Sequence, residues 1–356
     1  MNNFTLEFTL RQHTPLIHFQ ADQPGATLRA TELKPKLDRF LREKAPDLPF
    51  RAHHGDRHSL DYRLTVRYEG KNIKDYPKPF VKKGTKGYPS PYFADGVSID
   101  QPQPTHLRFT SFHPEILEAI ERHLPYLLAF ENFGTRQSKG FGCYHFENTT
   151  KESFERLLSE HRYPVYKLDR GAKDGKDALN IINEFYKLLK SGINYPHKSH
   201  YRKSLLFEHM CDHRTGWEKR KLKKVFPQIV HGEHAPIDCA PEPKEYRYIR
   251  AMLGLAELYE YRPDKRGKKI KITSVEQEGS SSRYQRMRSP LTFKVFGGQI
   301  YLLQDRFYEG LCNKKFRFCL DGDSVDIPTP TSFDLNAFLQ FVAQKGHIKP
   351  LKKGAQ

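Results

Sequence analysis

The chain has 356 residues, of which 37% are hydrophobic and 29% are charged, and 60 lysines and arginines against 42 aspartates and glutamates give a formal net charge of +18. This length exceeds one small core and suits two domains of ordinary size. No apolar run approaches the ~18 residues of a membrane helix, and the start, MNNFTLEFTLRQ, lacks the basic head and continuous apolar stretch of a signal peptide. We therefore expect a cytoplasmic protein that does not interact with a membrane.

The excess of positive charge indicates a polyanionic partner. Such an excess causes self-repulsion in the folded state unless a nucleic acid, an acidic membrane surface or an acidic protein relieves it. Membrane binding of this kind uses a basic amphipathic helix, and no segment has a clean basic face. Nucleic acid is therefore the favoured partner, and a basic protein without such a partner is the alternative.

The first half of the chain alternates strand and helix patterns. In chain order the predicted segments are a strand over 4–10, a helix over 30–44, a strand over 59–70, a strand over 105–112, a helix over 113–134 and a strand over 141–148. The order βαββαβ is that of a ferredoxin-like domain, with helices on one face of a four-stranded antiparallel sheet. The Pro-, Gly-, Lys- and Tyr-rich stretch 70–104 is predicted to be a long loop insertion.

The second half repeats this theme less clearly. Its predicted segments are a strand over 162–168, a helix over 175–192, a helix over 246–262, a hairpin over 289–307, a strand over 316–322 and a helix over 332–346 with Ser332 as its cap. We predict an α+β protein of two ferredoxin-like (RRM-like) domains with long loop insertions. The domains are expected at 1–155 and 156–356, the second being divergent.

The loop ENFGTRQSKGFGCYHFE, residues 131–147, has the strongest functional signal, carried by Gly134, Arg136, Lys139, Gly140, Phe141 and Gly142. Glycine permits positive φ and a close approach of the backbone to a partner, and exposed amides in such turns form anion-binding concavities. Arginine adds a forked phosphate donor and lysine a mobile charge. The phenylalanine either stacks on a base or packs inward. We expect the loop to bind a phosphodiester backbone, with a mobile basic turn as the alternative.

This loop resembles the glycine-rich loop of the RAMP superfamily of CRISPR proteins. FTLRQHTPLIHF resembles the first strand of that superfamily, and LRATELKPKLDRFL is similar to its helix one, with Arg29, Glu32, Leu33 and Lys34 at the positions of an Arg-x-x-Glu-(Ile/Leu)-(Lys/Arg) pattern. In the second half, IRAMLGLAELY and RMRSPLTFKVFGG resemble the LGL and R-x-SPL-x-(Ile/Phe)-(Lys/Arg)-V stretches of two-domain members. The combination is most similar to the family of subunit one of the Cmr (type III-B) effector complex.

The resemblance implies a function. Relatives are usually subunits without catalysis that hold the 3′ region of CRISPR RNA and its duplex with target RNA in antiviral defence. The implied partners are CRISPR RNA, target RNA and other RAMP subunits. Carried over by position, the RNA-binding residues would be Arg29, Lys34, Gly134, Arg136, Lys139, Gly140, Phe141 and Gly142.

Histidines support a second hypothesis, a metal-independent CRISPR RNA-processing endoribonuclease of the same superfamily. Cleavage of this kind needs a base for the 2′-hydroxyl and an acid for the leaving oxygen, and histidine suits both near neutral pH. The candidates are His53, His54 and His58, followed by His13 and His18. A solvated loop cluster is the simpler interpretation of these residues. An unrelated basic nucleic-acid-binding module is the third hypothesis.

Two other groups of residues have a weaker signal. The basic runs 219–224 and 262–272 could hold phosphates, with neighbouring aromatic rings offering stacking faces: Trp217, Phe226, Tyr259 and Tyr261. A zinc site could form from a set whose spacing matches no standard finger: His209, Cys211, His213, His231, His234 and Cys239. For each basic run, a solvated charged surface is an equally weighted alternative. For the histidine–cysteine set, scattered loop residues are favoured over zinc, and we expect no cofactor. Because the five cysteines are odd in number and lack a CxxC pair, we expect no disulfide framework.

Overall fold

The computed structural model describes most of the chain. The described residues are 4–17, 27–52, 58–69, 74–76, 98–100, 103–195, 200–230, 239, 242–261, 268–275, 287 and 289–352. None of the helices within these ranges is long and apolar enough to cross a membrane.

The described chain contains strands, α-helices and short 3₁₀ helices. The strands are β1 Thr5–Gln12, β2 Leu16–Ile17, β3 Arg51–Ala52, β4 His58–Ser59, β5 Arg63–Tyr68, β6 Lys74–Tyr76, β7 Ser98–Asp100, β8 Thr105–Thr110, β9 Tyr144–Phe146, β10 Val165–Leu168, β11 Ile193–Tyr195, β12 His200–Arg202, β13 Thr215–Trp217, β14 Glu245–Arg247, β15 Leu258–Tyr261, β16 Lys268–Ser274, β17 Leu291–Phe296, β18 Gln299–Gln304, β19 Lys315–Leu320, β20 Asp323–Pro328 and β21 Ile348–Pro350. The α-helices are α1 Ala30–Lys44, α2 Pro114–Phe130, α3 Lys151–Ser159, α4 Gly175–Lys190, α5 Leu205–Asp212, α6 Glu218–Val225 and α7 Leu335–Gln344. Short 3₁₀ helices span Pro227–Ile229, Ile249–Leu253 and Glu309–Leu311.

The first sheet has the predicted ferredoxin-like topology. Its strands lie in the order β5-β8-β1-β9, and all three pairings are antiparallel. With α1 and α2 in their places along the chain, this is the βαββαβ order. Leu33 and Leu37 of α1 and Ile120 of α2 are fully buried in the same apolar cluster as Phe109 and Tyr144 of the sheet.

A second sheet repeats this topology with residues far apart in sequence. Its order is β17-β18-β10-β21, and the chain order of its elements is β10, α4, β17, β18, α7, β21, which is again βαββαβ. The predicted hairpin forms β17 and β18, with Gly297 and Gly298 at positive φ in its turn. Two insertions interrupt the unit, and they carry the remaining four-stranded antiparallel sheet, β15-β16-β19-β20. The predicted fold class of two ferredoxin-like domains is therefore confirmed.

The chain divides into two compact units. One unit comprises 1–183, 292–304 and 348–356, and the other comprises 184–291 and 305–347. The predicted division after residue 155 stays a prediction.

Three local predictions were wrong. The segment 246–262 is not a helix, because Gly254 at φ +112° ends a 3₁₀ turn before β15 begins. The last long helix is capped by Asp334, whose carboxylate accepts two backbone amides, rather than by Ser332. Cys211 and Cys239 form a disulfide.

Of the predicted insertion 70–104, the described residues form β6 and β7, which extend a small sheet with β2. The rest of that stretch, up to residue 102, lies outside the described ranges.

Candidate nucleic-acid interface

Three glycines let the glycine-rich loop approach its own chain closely. Gly134, Gly140 and Gly142 have φ angles of +77°, +80° and +67°, in the left-handed region that disfavours side chains. A Cβ at Gly134 would overlap the carbonyl oxygen of Ile17, and a Cβ at Gly142 would overlap that of Phe133. The glycines are therefore required by the internal packing of the loop.

The glycine amides of the loop are hydrogen-bonded within the protein. Gly134 N donates to Oε1 of Glu32 at 2.6 Å, and Gly142 N donates to the carbonyl oxygen of Pro15 at 2.9 Å. Gly140 N donates to the carbonyl oxygen three residues earlier, at 3.1 Å. The prediction that these amides form an anion-binding concavity is therefore wrong, because the donors are used to fold the loop.

The aromatic ring of the loop also faces inward. Phe141 is 1% exposed. Its neighbour Gly140 lies so close to Ile182 and Phe293 that an added Cβ would come within 2.7 Å and 3.5 Å of their side chains. In this conformation the ring of Phe141 is not available for stacking on a base.

Asn132 fixes the base of the loop. Its side chain is fully buried, and Nδ2 donates to the carbonyl oxygens of Gln137 at 2.7 Å and Phe293 at 2.9 Å. Its Oδ1 accepts from Nζ of Lys294 at 2.9 Å and from Sγ of Cys143 at 3.1 Å. A single amide therefore joins both ends of the loop to β17.

Lys294 brings a positive charge under this loop. Its side chain is 1% exposed and also donates to the carbonyl oxygen of Glu131 at 2.5 Å. Burial lowers the pKa of Lys294 to about 8, while the nearby Cys143 and Glu131 oppose that shift. The ammonium is therefore still mostly protonated at neutral pH, and it bonds to two acceptors at the base of the loop.

The outer rim of the loop exposes one of its two cations. Arg136 is exposed and has a φ of +60°, whereas Lys139 is half-buried and its ammonium nitrogen is buried. The rim is tied down on both sides, because Lys139 N donates to the carbonyl oxygen of Arg136 at 2.8 Å and Phe293 N donates to that of Ser138 at 3.2 Å. The structure thus presents the guanidinium of Arg136 from a backbone that is held in place.

Helix α1 contacts the loop through Glu32, and not through Arg29 or Lys34, the two cations predicted to bind RNA. Arg29 precedes the first residue of α1 and is half-buried. Nζ of Lys34 donates to the carbonyl oxygen of Leu60 at 2.8 Å and to Asp38 at 3.2 Å, and it lies 3.5 Å from the ring centroid of Tyr62. The ammonium of Lys34 is thus engaged by its own chain. RNA contacts of Arg29 and Lys34 stay predictions.

The histidine candidates are not assembled by the described part of the chain. His18, His53 and His54 lie outside it, and His58 belongs to β4. Burial lowers the pKa of His13 to about 4, so this imidazole is neutral at pH 7. A neutral, half-buried imidazole whose ring lies 4.6 Å from that of Phe296 is poorly placed to protonate a leaving group.

In the first basic run, the ammonium group of Lys219 is buried and hydrogen-bonded within the protein. Residues 219–224 lie in α6, where Nζ of Lys219 donates to the carbonyl oxygen of Ser191 at 2.6 Å and to the hydroxyl of Tyr201 at 3.1 Å. Burial lowers the pKa of Lys219 well below its usual value. The predicted stacking role of three aromatic neighbours is wrong because the rings are buried: Trp217, Phe226 and Tyr259. Tyr261 ends β15, and residues 262–267 of the second run lie outside the described ranges.

The two cysteines of the histidine–cysteine set, Cys211 and Cys239, form a disulfide and are therefore not available as zinc ligands. His231 and His234 lie outside the described ranges. His209 packs against the rings of Phe338 and Phe341, and its burial lowers its pKa.

Sequence reasoning missed five residues whose side chains anchor the loop. Thr14 donates to the carbonyl oxygen of Gly140 at 2.6 Å, and Nζ of Lys36 donates to the carbonyl oxygen of Asn132 at 2.5 Å. The other three anchors are Glu32, Asn132 and Lys294. A signal existed for Lys294, which is the one charged residue in the apolar strand LTFKVF, and for Glu32, which is part of the Arg-x-x-Glu pattern. Nothing in the local sequence distinguishes Asn132 or Thr14.

Two βαββαβ units, with a glycine-rich loop before the last strand of the first unit, are the arrangement that the resemblance to two-domain RAMP proteins predicts. The family model "Cmr1 N-terminal domain" matches residues 3–193, and the model "Cmr1 C-terminal domain" matches residues 201–353. The chain therefore belongs to the Cmr1 family, whose members are subunits of the type III-B Cmr complex.

A solved structure, the crystal structure of Cmr1 from Pyrococcus furiosus in its apo form, is similar at 10% sequence identity over 99% of this chain and 100% of that chain. The TM-score is 0.43. No curated protein matches the sequence.

Proposed function

We propose that the chain is a non-catalytic RNA-binding subunit of a type III-B CRISPR effector complex, which holds the 3′ region of CRISPR RNA and its duplex with target RNA. Family membership supports the place in the complex. RNA contact is supported by the position of Arg136. This arginine is exposed, has a φ of +60° and lies on a loop that Asn132 fixes in place. A left-handed backbone costs a residue with a side chain about 1–2 kcal/mol. Strain of this kind accumulates at functional positions.

The contact would be made by side chains rather than by loop amides. A guanidinium can donate two parallel hydrogen bonds to a phosphate, and Arg136 is the exposed cation of this rim, since the ammonium of Lys139 is buried. Contacts to phosphate fix the position of the RNA and carry no sequence information. This suits a subunit that must accept any guide sequence.

Arg136→Gly tests the proposal, because glycine removes the guanidinium and suits the positive φ. We expect the free energy of unfolding to change by less than about 1 kcal/mol, since relief of strain offsets the greater freedom of the unfolded chain. The Kd for a guide-length RNA should rise about fivefold or more for every sequence tested, and the salt dependence should become shallower. Fluorescence anisotropy over a salt series measures both effects.

The matched control is Arg122→Ala, which removes an exposed arginine from α2. It should leave the Kd within about twofold, as expected for a charge that contacts no phosphate. Equal losses in the two variants, or a loss in Arg136→Gly for only one RNA sequence, would contradict a phosphate contact at the loop.

A cleavage assay tests whether the chain is non-catalytic. Incubation of the chain with CRISPR repeat RNA in EDTA should leave the RNA intact. Cleavage that disappears when His53, His54 and His58 are changed to alanine would establish the endoribonuclease instead. Expression with its neighbouring genes should recover the chain together with other subunits and a short guide RNA.

A further inference from the structure

The first sheet has a second face, opposite α1 and α2, which we call the outer face. Side chains alternate along each strand, and the register aligns the outward residues of β5, β8 and β1 in rows. The rows are Arg63–Thr110–Thr5, Thr65–Arg108–Glu7 and Arg67–His106–Thr9. Successive rows are two residues apart, or about 7 Å.

The outer face is basic, and its arginines are accessible. Arg11, Arg63, Arg67 and Arg108 are all exposed, and they outnumber three exposed glutamates on this face, Glu7, Glu69 and Glu147, the last of which lies opposite Thr9. Glu7 pairs with Arg108 at 3.4 Å, and Glu69, just past the end of β5, approaches His106 at 3.8 Å. Both are exposed contacts, which salt and solvent weaken. Asp61, before β5, pairs with Arg51 at 2.6 Å.

Two exposed aromatic rings lie just beyond the end of the first sheet, next to the row that contains Arg63 and Thr110. Phe112 is 84% exposed and Phe4 is 47% exposed, and their ring centroids are 5.8 Å apart. Ser111 N donates to the carbonyl oxygen of Phe4 at 3.1 Å, so the pair directly follows the row that contains Arg63 and Thr110. The two rings are among the most exposed large apolar side chains in the described ranges.

We propose that the outer face is a binding surface for single-stranded RNA, in addition to the glycine-rich loop. Guanidinium groups and hydroxyls suit phosphates and sugars, guanidinium planes and aromatic rings stack on unpaired bases, and an antiparallel sheet can present both to a strand. The rows contain no aliphatic side chain, whereas the centre of a protein interface is apolar and depleted in charge. Charge complementarity therefore favours RNA over a protein partner.

The main test removes the cations of this face from the full-length chain. The triple variant Arg63→Ala, Arg67→Ala, Arg108→Ala is compared with Arg39→Ala, Arg42→Ala, Arg122→Ala, which removes three exposed arginines from α1 and α2. The probe is a fluorescein-labelled 15-nucleotide oligouridylate. We expect the Kd of the first variant to rise at least about tenfold and its log–log salt slope to fall by about 2, since each lost phosphate contact contributes ~0.7. The control should change less than about threefold. Equal changes in both variants would overturn the proposal.

A second test looks for tighter RNA binding, because a misfolded variant would bind RNA more weakly rather than more tightly. Glu7→Gln with Glu69→Gln removes the two glutamates that contact Arg108 and His106, and we expect about two- to fivefold tighter binding. Unchanged or weaker binding would overturn the proposal.

Phe112→Leu keeps apolar bulk but removes the stacking ring, and we expect the Kd to rise about fivefold or more. If this variant binds RNA normally but no longer copurifies with partner subunits, the face is a protein interface and the proposal fails.

Combination with Arg136→Gly separates this surface from the loop. Losses that add in free energy indicate two separate contacts. If Arg136→Gly alone abolishes binding of the oligouridylate, and the triple variant adds nothing, the outer face is not a site. Retained oligouridylate binding by Arg136→Gly, with loss in the triple variant, would support the outer face even if the loop proposal fails.

Discussion

Gly142 shows how a residue chosen for one reason can serve another. The sequence suggested a glycine that opens the backbone to a ligand, whereas the structure uses it to bring the loop against Phe133 and Pro15. Both interpretations require the same residue, because positive φ and a missing Cβ serve an internal contact as well as an external one. Only the position of the neighbouring chain distinguishes them.

Gly142→Ala should therefore destabilise the fold strongly. Its Cβ would overlap the carbonyl oxygen of Phe133, which is backbone and cannot rotate away. Gly346→Ala is the matched control, because Gly346 has a φ of +77° with nothing within 4 Å of an added Cβ. We expect a loss of about 1–2 kcal/mol for the control and at least about 2 kcal/mol more for Gly142→Ala. Urea unfolding measures both, and equal losses would show that the overlap is relieved.

His13 makes stability depend on pH. Burial lowers its pKa from 6.5 to about 4 in the folded protein, so the unfolded chain binds more protons between these values. The free energy of unfolding therefore falls as the pH drops through 6.5. Below about pH 4, His13 causes no further fall. His13→Gln should reduce the loss between pH 7 and pH 5 by about 2 kcal/mol. Urea unfolding of both proteins at the two pH values measures this, and parallel losses would contradict it.

At the scale of elements, the segment 246–262 shows a limit of periodicity. Its apolar spacing predicted a helix, yet it forms a short strand, a 3₁₀ turn and another strand. The buried carboxylate of Glu218 accepts from Arg250 and from the amide of Ile249, which fixes the turn against α6. Tertiary contacts of this kind override local propensity.

Glu218 and Arg250 are expected to act as a pair. Both are buried, and the guanidinium carbon of Arg250 lies 3.6 Å from the ring centroid of Tyr259. Glu218→Gln or Arg250→Met alone should cost about 3–5 kcal/mol, because each leaves an uncompensated buried partner. The double variant should cost clearly less than the sum. A double-mutant cycle by urea unfolding gives the coupling, and additive losses would mean that the pair is not coupled.

At the scale of the whole molecule, two βαββαβ units organise the chain, and the second is interrupted by two long insertions. The first unit was predictable because its elements are consecutive and its insertion falls between the second and third strands. The second was only partly predictable, since β10 and β17 are separated by more than a hundred residues of insertion and helix. The first insertion carries the disulfide that composition argued against.

The disulfide is testable in the intact chain. Cys211 and Cys239 are 28 residues apart, and closing a loop of this length stabilises a protein by about 2–4 kcal/mol. Alkylation of the purified, denatured chain without reductant should modify Cys143, Cys312 and Cys319 only. Mass spectrometry counts the labels, and five labels in a chain purified without reductant would contradict the bond. Reductant should lower the free energy of unfolding of the wild type but not of Cys211→Ser with Cys239→Ser.

The sequence by itself determined the class of fold, the position of the glycine-rich loop and the basic character of the molecule, because periodicity, glycine and net charge are local or additive properties. Only the tertiary structure decided what the loop glycines contact, which cations reach solvent and which aromatic rings are buried. These outcomes depend on where distant segments meet. Asn132, Lys294 and Thr14 meet at one loop from three separate parts of the chain, and no local pattern encodes that meeting.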